Sequence, residues 1–295
     1  MEFRETEKFE RNEDNLQPEV LNLLEKHNIR LDPDRKDQHI LISRETINQL
    51  VDSAELTAED AVLEIGPGPG QITGAIAEKA GKIYAIEIDK RFEPILEDLQ
   101  KKYSNLEVIF GSALDVKWPI VNKVVSNPPY SILEPLIERL IMEKKIDSCS
   151  LVIGEKYYQR CAVSKDRVTK TSLMTQAFFD VELISKIDGN KFFPQGREES
   201  VIMKLLRKDK KRADFGLRLL VSRMVNTPNE SVISLIRDII NEKVNLRTMD
   251  FGNIPTVKSL NIPESTLRKS LRDLNNTDIN ILARTIGSLK RKLRQ

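Results

Sequence analysis

The chain has 295 residues, of which 40% are hydrophobic and 31% charged, and its formal net charge is +2. That is enough apolar material for one large core and a smaller one. Two cysteines (Cys149, Cys161) and two histidines (His27, His39) argue against a disulfide scaffold and a metal centre. No apolar run approaches membrane-spanning length, and the charged first residues lack a secretory h-region, so the expectation is a cytoplasmic protein with no metal and no membrane partner.

In chain order, residues 1–15 are polar and expected to be poorly ordered. Apolar spacing at Val20, Leu21 and Leu24 predicts a short helix over 18–29, followed by a charged linker at 30–37 and a helix over 43–54. Strands and helices then alternate. Strands are predicted at 61–65, 83–88, 106–110, 121–126 and 150–153, and helices over 71–80, 91–103 and 133–145. Further helical segments fall within 155–178, and two closing strands at 181–187 and 200–206. Continuous apolar strands separated by helices predict an α/β fold with a doubly wound, mostly parallel, Rossmann-like sheet. From about residue 210 the pattern is helical only: 213–225, 230–243, 263–273 and 277–293, with Pro263 and Thr277 as start signals. The expected divisions are an N-terminal tail and short helix (1–36), an α/β domain (37–208) and a small all-α domain (209–295), with the break at the basic run 207–212.

The small net charge hides an asymmetry. Residues 206–295 carry 19 Lys+Arg against 9 Asp+Glu, while 1–205 carry 28 against 36. A basic helical third on an acidic body fits a polyanionic partner, nucleic acid before others; a solvated helical surface is the plainer alternative.

Four motifs sit where the predicted strands end. Glu64-Ile-Gly-Pro-Gly-Pro-Gly70 follows the first strand, and Gly66, Gly68 and Gly70 allow a tight turn and close approach of a ligand. Glu87 closes the second strand about 20 residues on, where a carboxylate takes ribose hydroxyls. Glu64 would repel a pyrophosphate but suits the methionine end of S-adenosylmethionine (SAM). After the third strand, Gly111-Ser-Ala-Leu-Asp115 offers Ser112, Ala113 and Asp115 to a cofactor adenine, with Asp115 equally explained as a cap. The fourth strand runs into Asn127-Pro-Pro-Tyr130. Prolines there cannot continue a ladder, so an amide and free carbonyls face a cleft beside an aromatic ring, a setting for a flat, amine-bearing group. The order of the four motifs points to a SAM-dependent amino methyltransferase.

With these residues in view, the sequence resembles the KsgA-type ribosomal RNA adenine dimethyltransferases, relatives of the Erm resistance methyltransferases, from about Asp37 to about Asn229. Asp37-Gln-His-Ile-Leu41 is similar to the family's Gly-Gln-Asn-Phe-Leu motif, with Gln38 matched. Glu-Ile-Gly-Pro-Gly (64–68), Glu-Ile-Asp (87–89) and Asn-Pro-Pro-Tyr match well. Phe192-Phe-Pro-Gln-Gly-Arg-Glu-Glu-Ser200 resembles the family's Phe-x-Pro-x-Pro-x-Val-x-Ser segment. The departures are Ser112 for an Asp, Asp37 for a Gly, His39 for an Asn, Gly196 for the second Pro and Glu198 for the Val. Gly154-Glu-Lys156 and Val168-Thr-Lys-Thr171 replace two further family stretches.

The resemblance implies a cofactor set of Gln38, Ile40, Glu64, Gly66, Gly68, Gly70, Glu87, Ile88, Ser112, Ala113 and Asn127 for SAM. On the target side it implies that Asn127 Oδ1 and the Pro128 carbonyl accept the two N6 hydrogens of an adenine, sandwiched by Tyr130 and Phe192. The implied partner is RNA, small-subunit ribosomal RNA or a pre-ribosomal particle. Two alternatives stay open at this point: methylation of another amine or amide such as a protein glutamine, and a non-catalytic RNA-binding assembly or transcription factor that kept the fold.

Overall fold

A computed structural model describes residues 14–162, 170–196, 198–208, 215–244 and 257–292. The disorder expected for 1–15 thus falls, up to residue 13, outside the described residues, as do 209–212 of the expected break and Val168 and Thr169 of one divergent stretch.

The N-terminal helix α1 (Gln17–Lys26) is followed by a single helical turn α2 (Pro33–Lys36) inside the expected linker. A two-residue strand β1 (Ile40–Leu41) leads to α3 (Arg44–Ser53), which starts where the Ser43 hydroxyl accepts the Thr46 N–H. The alternating region then runs β2 (Ala61–Ile65), α4 (Gln71–Ala77), β3 (Lys82–Glu87), α5 (Glu93–Lys102), β4 (Leu106–Phe110) and β5 (Lys123–Ser126). It continues through α6 (Leu133–Met142), β6 (Ser148–Gly154), α7 (Glu155–Cys161), α8 (Lys170–Phe178), β7 (Phe179–Ile187), β8 (Phe192–Phe193) and β9 (Ser200–Arg207).

Among the described residues, seven strands form one sheet in the order β4-β3-β2-β5-β6-β9-β7, and the pairs β4–β3, β3–β2, β2–β5 and β5–β6 are parallel. The apolar runs predicted this: β6 is buried at every position and β2 at all but its first, as strands covered on both faces must be. The topology reverses at β2, which has β3 on one side and β5 on the other, and such switch points open a crevice at the strands' carboxyl ends. The sequence pattern missed one pairing. β1 and β8 form a separate antiparallel ribbon, Ile40 opposite Phe193 and Leu41 opposite Phe192. Two-residue strands lie below the length at which periodicity is readable.

By internal contacts the chain divides into two compact units: 1–133 with 148–155 and 183–204, and 134–147 with 156–182 and 205–295. The first has a core running from Leu16, Val20 and Leu24 of the N-terminal segment through Val62, Ile83 and Leu96 to Ile202. The second contains α9 (Phe215–Asn226), α10 (Val232–Val244), α11 (Glu264–Leu267) and α12 (Asn276–Lys292), joined through Leu220, Leu235, Ile236, Leu271 and Leu282. The helix expected over 263–273 is instead the single turn α11 and a 3-10 turn at Leu271–Asp273. The amides of Leu271 and Arg272 are spent on the carbonyls of Glu230 and Pro228, and the Lys269 carbonyl takes the Val232 N–H, so the ladder cannot continue.

Leu63 sits in the interior strand β2 with no exposure. Leu63→Ala is expected to cost about 2–5 kcal/mol through lost burial and a residual cavity. Chemical denaturation reads this as a lower midpoint at unchanged slope; a midpoint equal to wild type would contradict the packing described.

Candidate active site

At the carboxyl end of β2 the chain turns through Gly66, Gly68 and Gly70, with φ of +70°, +53° and +88°. These are left-handed values that cost a side-chain-bearing residue about 1 kcal/mol or more. A Cβ at Gly68 would meet nothing within 4 Å, so that glycine borders open space. A Cβ at Gly70 would collide with Leu99 Cδ1, so Gly70 serves the close approach of α4 to α5 rather than a ligand.

Glu87 ends β3 and is buried. Its Oε2 accepts the Gly68 N–H at 3.0 Å and its Oε1 the Asp89 N–H at 2.7 Å. Burial pushes its carboxyl above the usual carboxylate range, with these backbone donors acting in the opposite direction. Each carboxylate oxygen keeps a further lone-pair direction for a hydroxyl. Ser112 and Ala113 follow β4 in a loop pinned by the Trp118 indole N–H, which donates to the Ala113 carbonyl at 2.8 Å.

These strand ends enclose a cavity of about 410 Å³, within the range of small-molecule sites. Of the expected cofactor residues, Gln38, Ile40, Gly66, Gly68, Glu87, Ile88, Ser112, Ala113 and Asn127 line it. Ile88 lies just past the end of β3 and is 69% exposed. Glu64, Gly70 and Asp115 stand outside the lining. Glu64 lies one residue inside β2, short of the glycine turn that opens the cavity, and is buried. There its Oε2 is buried with no hydrogen-bond partner among the described residues. Burial first, and the nearby Glu87 charge second, push the Glu64 carboxyl up to about 8, so at neutral pH it is a neutral acid rather than a carboxylate facing a cationic ligand.

A second cavity of about 420 Å³ adjoins the first. All four expected target-side residues, Asn127, Pro128, Tyr130 and Phe192, line it. Asp37, His39, Asn127 and Ser131 line both cavities, so the two meet at Asn127. The Asn127 Nδ2 donates to the His39 carbonyl at 2.9 Å. With the amino group engaged, Asn127 Oδ1 is the atom left to accept. The Tyr130 hydroxyl bonds Ser200 Oγ at 2.7 Å, and burial pushes its phenol up to about 12. His39 Nδ1 lies 2.9 Å from the Pro194 carbonyl, which fixes the Nδ1–H tautomer. Phe192 is 4% exposed and belongs to the main core as well as to the cavity wall.

Leu31, Asp89 and Ser131 also line the first cavity and were not assigned from sequence. Asp89 lay within the Glu-Ile-Asp motif and Ser131 directly after Tyr130. Leu31 carried no local signal, because its position depends on a fold-back of the N-terminal segment.

Paired cavities at the carboxyl ends of a doubly wound parallel sheet, meeting at an amide acceptor, define a Rossmann-like SAM-dependent methyltransferase. The family model described as ribosomal RNA adenine dimethylase matches residues 34–267, and the chain belongs to that family. A probable ribosomal RNA small subunit methyltransferase A of Pyrococcus abyssi is 33% identical, covering 83% of this chain and 89% of its own length. The protein with the same description in Thermococcus gammatolerans is 39% identical over 65% of this chain and 69% of its own. Among solved structures, a dimethyladenosine transferase from Plasmodium falciparum aligns with a TM-score of 0.60 at 21% identity, covering 83% of this chain and 96% of that one, which is a likeness of fold.

Because the folded state holds the Glu64 proton up to about pH 8 while an ordinary glutamate releases it near 4.5, stability falls as pH rises between those values. Glu64→Gln should flatten that part of a thermal-melting profile and raise stability at pH 8. An unchanged slope would show that Glu64 is not held neutral.

Proposed function

We propose that this protein transfers methyl groups from SAM to the N6 amine of an adenine in ribosomal RNA, adding two at a small-subunit site. The observation that carries this reading is Asn127: it stands where two cavities meet, with its amino group tied to the His39 carbonyl and its oxygen directed to accept. A donor-bearing group in the second cavity is thereby aimed at the first.

The first cavity is the SAM site of this reading. Glu87 is the ribose acceptor, Ile40 and Ile88 offer apolar contact, and Ser112 and Ala113 offer polar and backbone groups to an adenine edge. Bound there, SAM supplies a methyl group already activated by its sulfonium. The chain's own task is placement. The N6 lone pair of adenine is delocalised into the ring, and Asn127 Oδ1 with the Pro128 carbonyl, by accepting both N6 hydrogens, favours a more tetrahedral nitrogen. Tyr130, neutral and anchored by Ser200, gives an aromatic face for the base, and Phe192 closes the other side. An unpaired adenine in an RNA loop reaches such a pocket at little unstacking cost.

In this reading residues 37–208 are the catalytic region and the basic 209–295 the part that meets the RNA backbone, within ribosomal RNA or a pre-ribosomal particle in the cytoplasm. The second cavity also carries Asp34, Asp37 and Glu198. Negative charge there suits a nitrogen that becomes cationic as the methyl arrives.

Asn127→Ala is expected to lower tritium transfer from labelled SAM to small-subunit ribosomal RNA by at least ~100-fold, with SAM affinity little changed. Full turnover in the variant would sink the mechanism. Label appearing in protein rather than in RNA would replace the substrate.

A further inference from the structure

Residues 14–33 lie outside the matched family region, yet through Leu31 they contribute to the first cavity. Helix α1 is anchored by Val20 and Leu24, and Leu16 and Ile29 join the same core. Beyond α1, Leu31 becomes part of the cavity wall. A side-chain network holds it there. The Asp32 N–H donates to Gln38 Oε1 at 2.8 Å, and Gln38 Nε2 donates to Asp89 Oδ2 at 2.9 Å. Arg91 grips Asp89, its Nε 2.9 Å from Oδ1, and a second guanidinium nitrogen reaches Oδ2. Its Nη1 donates to the Arg30 carbonyl at 2.7 Å.

Arg91 is not in the cavity wall. It joins the exit of β3, where Asp89 is positioned by its N–H to Glu87, to the backbone on one side of Leu31, while Gln38 holds the other side. The planar guanidinium suits this: one edge meets a carboxylate and another donor remains for a carbonyl. Asp89 is buried and its charge is matched by Arg91, so the pair can stand beside a ligand site without an unpaired charge.

We propose that residues 30–32 are part of the SAM site, with Leu31 as a contact residue and Arg91 as the positioning residue that holds them. The proposal rests on the first cavity being the SAM site. Order in this segment lowers the entropic cost of binding, so loosening it weakens ground-state affinity without touching the reacting atoms.

The test uses the full chain and compares Arg91→Gln, Arg91→Lys and Leu31→Ala with wild type. Calorimetry measures affinity for SAM and for S-adenosylhomocysteine, and hydrogen exchange follows the Asp32 amide in the ligand-free protein. Arg91→Gln should weaken both ligands about tenfold and speed Asp32 exchange, with turnover at saturating SAM within about twofold of wild type. Arg91→Lys should recover part of both effects. Leu31→Ala should weaken SAM severalfold with Asp32 exchange unchanged. Wild-type affinity in both Arg91→Gln and Leu31→Ala overturns the proposal. A wild-type chain that binds no SAM overturns the reading of the cavity itself, a distinct result.

Discussion

The Glu87 carboxylate is the interaction on which the rest of the site depends. One oxygen takes the Gly68 N–H and the other the Asp89 N–H, so a single buried group sets the spacing between the glycine turn after β2 and the exit of β3. A carboxylate in that position bears a desolvation cost, visible as its upward-shifted pKa, and the two backbone donors offset part of it. What it organises spreads outward. Asp89, placed by Glu87, accepts from Gln38 and Arg91, and through them the opening motif and the N-terminal segment are brought onto the cavity.

The second cavity is organised by a different contact. The His39 carbonyl takes the Asn127 amino group, so a backbone atom of the opening motif decides which end of the amide faces the junction. The β1–β8 ribbon lies in the same region, placing Leu41 opposite Phe192, and the His39 ring is tied to the Pro194 carbonyl. Segments about 90 and 150 residues apart in sequence therefore converge on one amide. Departures from the family pattern at Asp37, His39 and Glu198 all fall on this wall, and Asp37 and Glu198 add acidic side chains to it while Asn127, Pro128 and Tyr130 stay in place.

Much of the fold was legible because its signals are local. Five parallel strands announce themselves as continuous apolar runs, and their intervening helices by spacing. The failures were places where long-range hydrogen bonds override local preference. The helix expected at 263–273 is broken because its amides are committed to the 228–230 loop, and the β1–β8 ribbon is too short to leave a period. The site shows the same division. Nine of the expected cofactor residues line one cavity, since strand ends in a parallel sheet must fall together. Glu64 and Gly70 do not, because the burial of a side chain near a strand end, and the reason for a glycine, are set by tertiary neighbours.

The sequence by itself determined the class of chemistry. A glycine turn, an acid and Asn-Pro-Pro-Tyr at successive strand ends specify a small set of ligands, because residue type and order carry that information. Only the tertiary structure decided which groups face the ligands and in what protonation state. It buried Glu64 and raised its pKa, left the Asn127 oxygen to accept, and carried Leu31 into the wall of the first cavity. These depend on burial, on amide orientation and on contacts between residues distant in the chain, which exist only after folding.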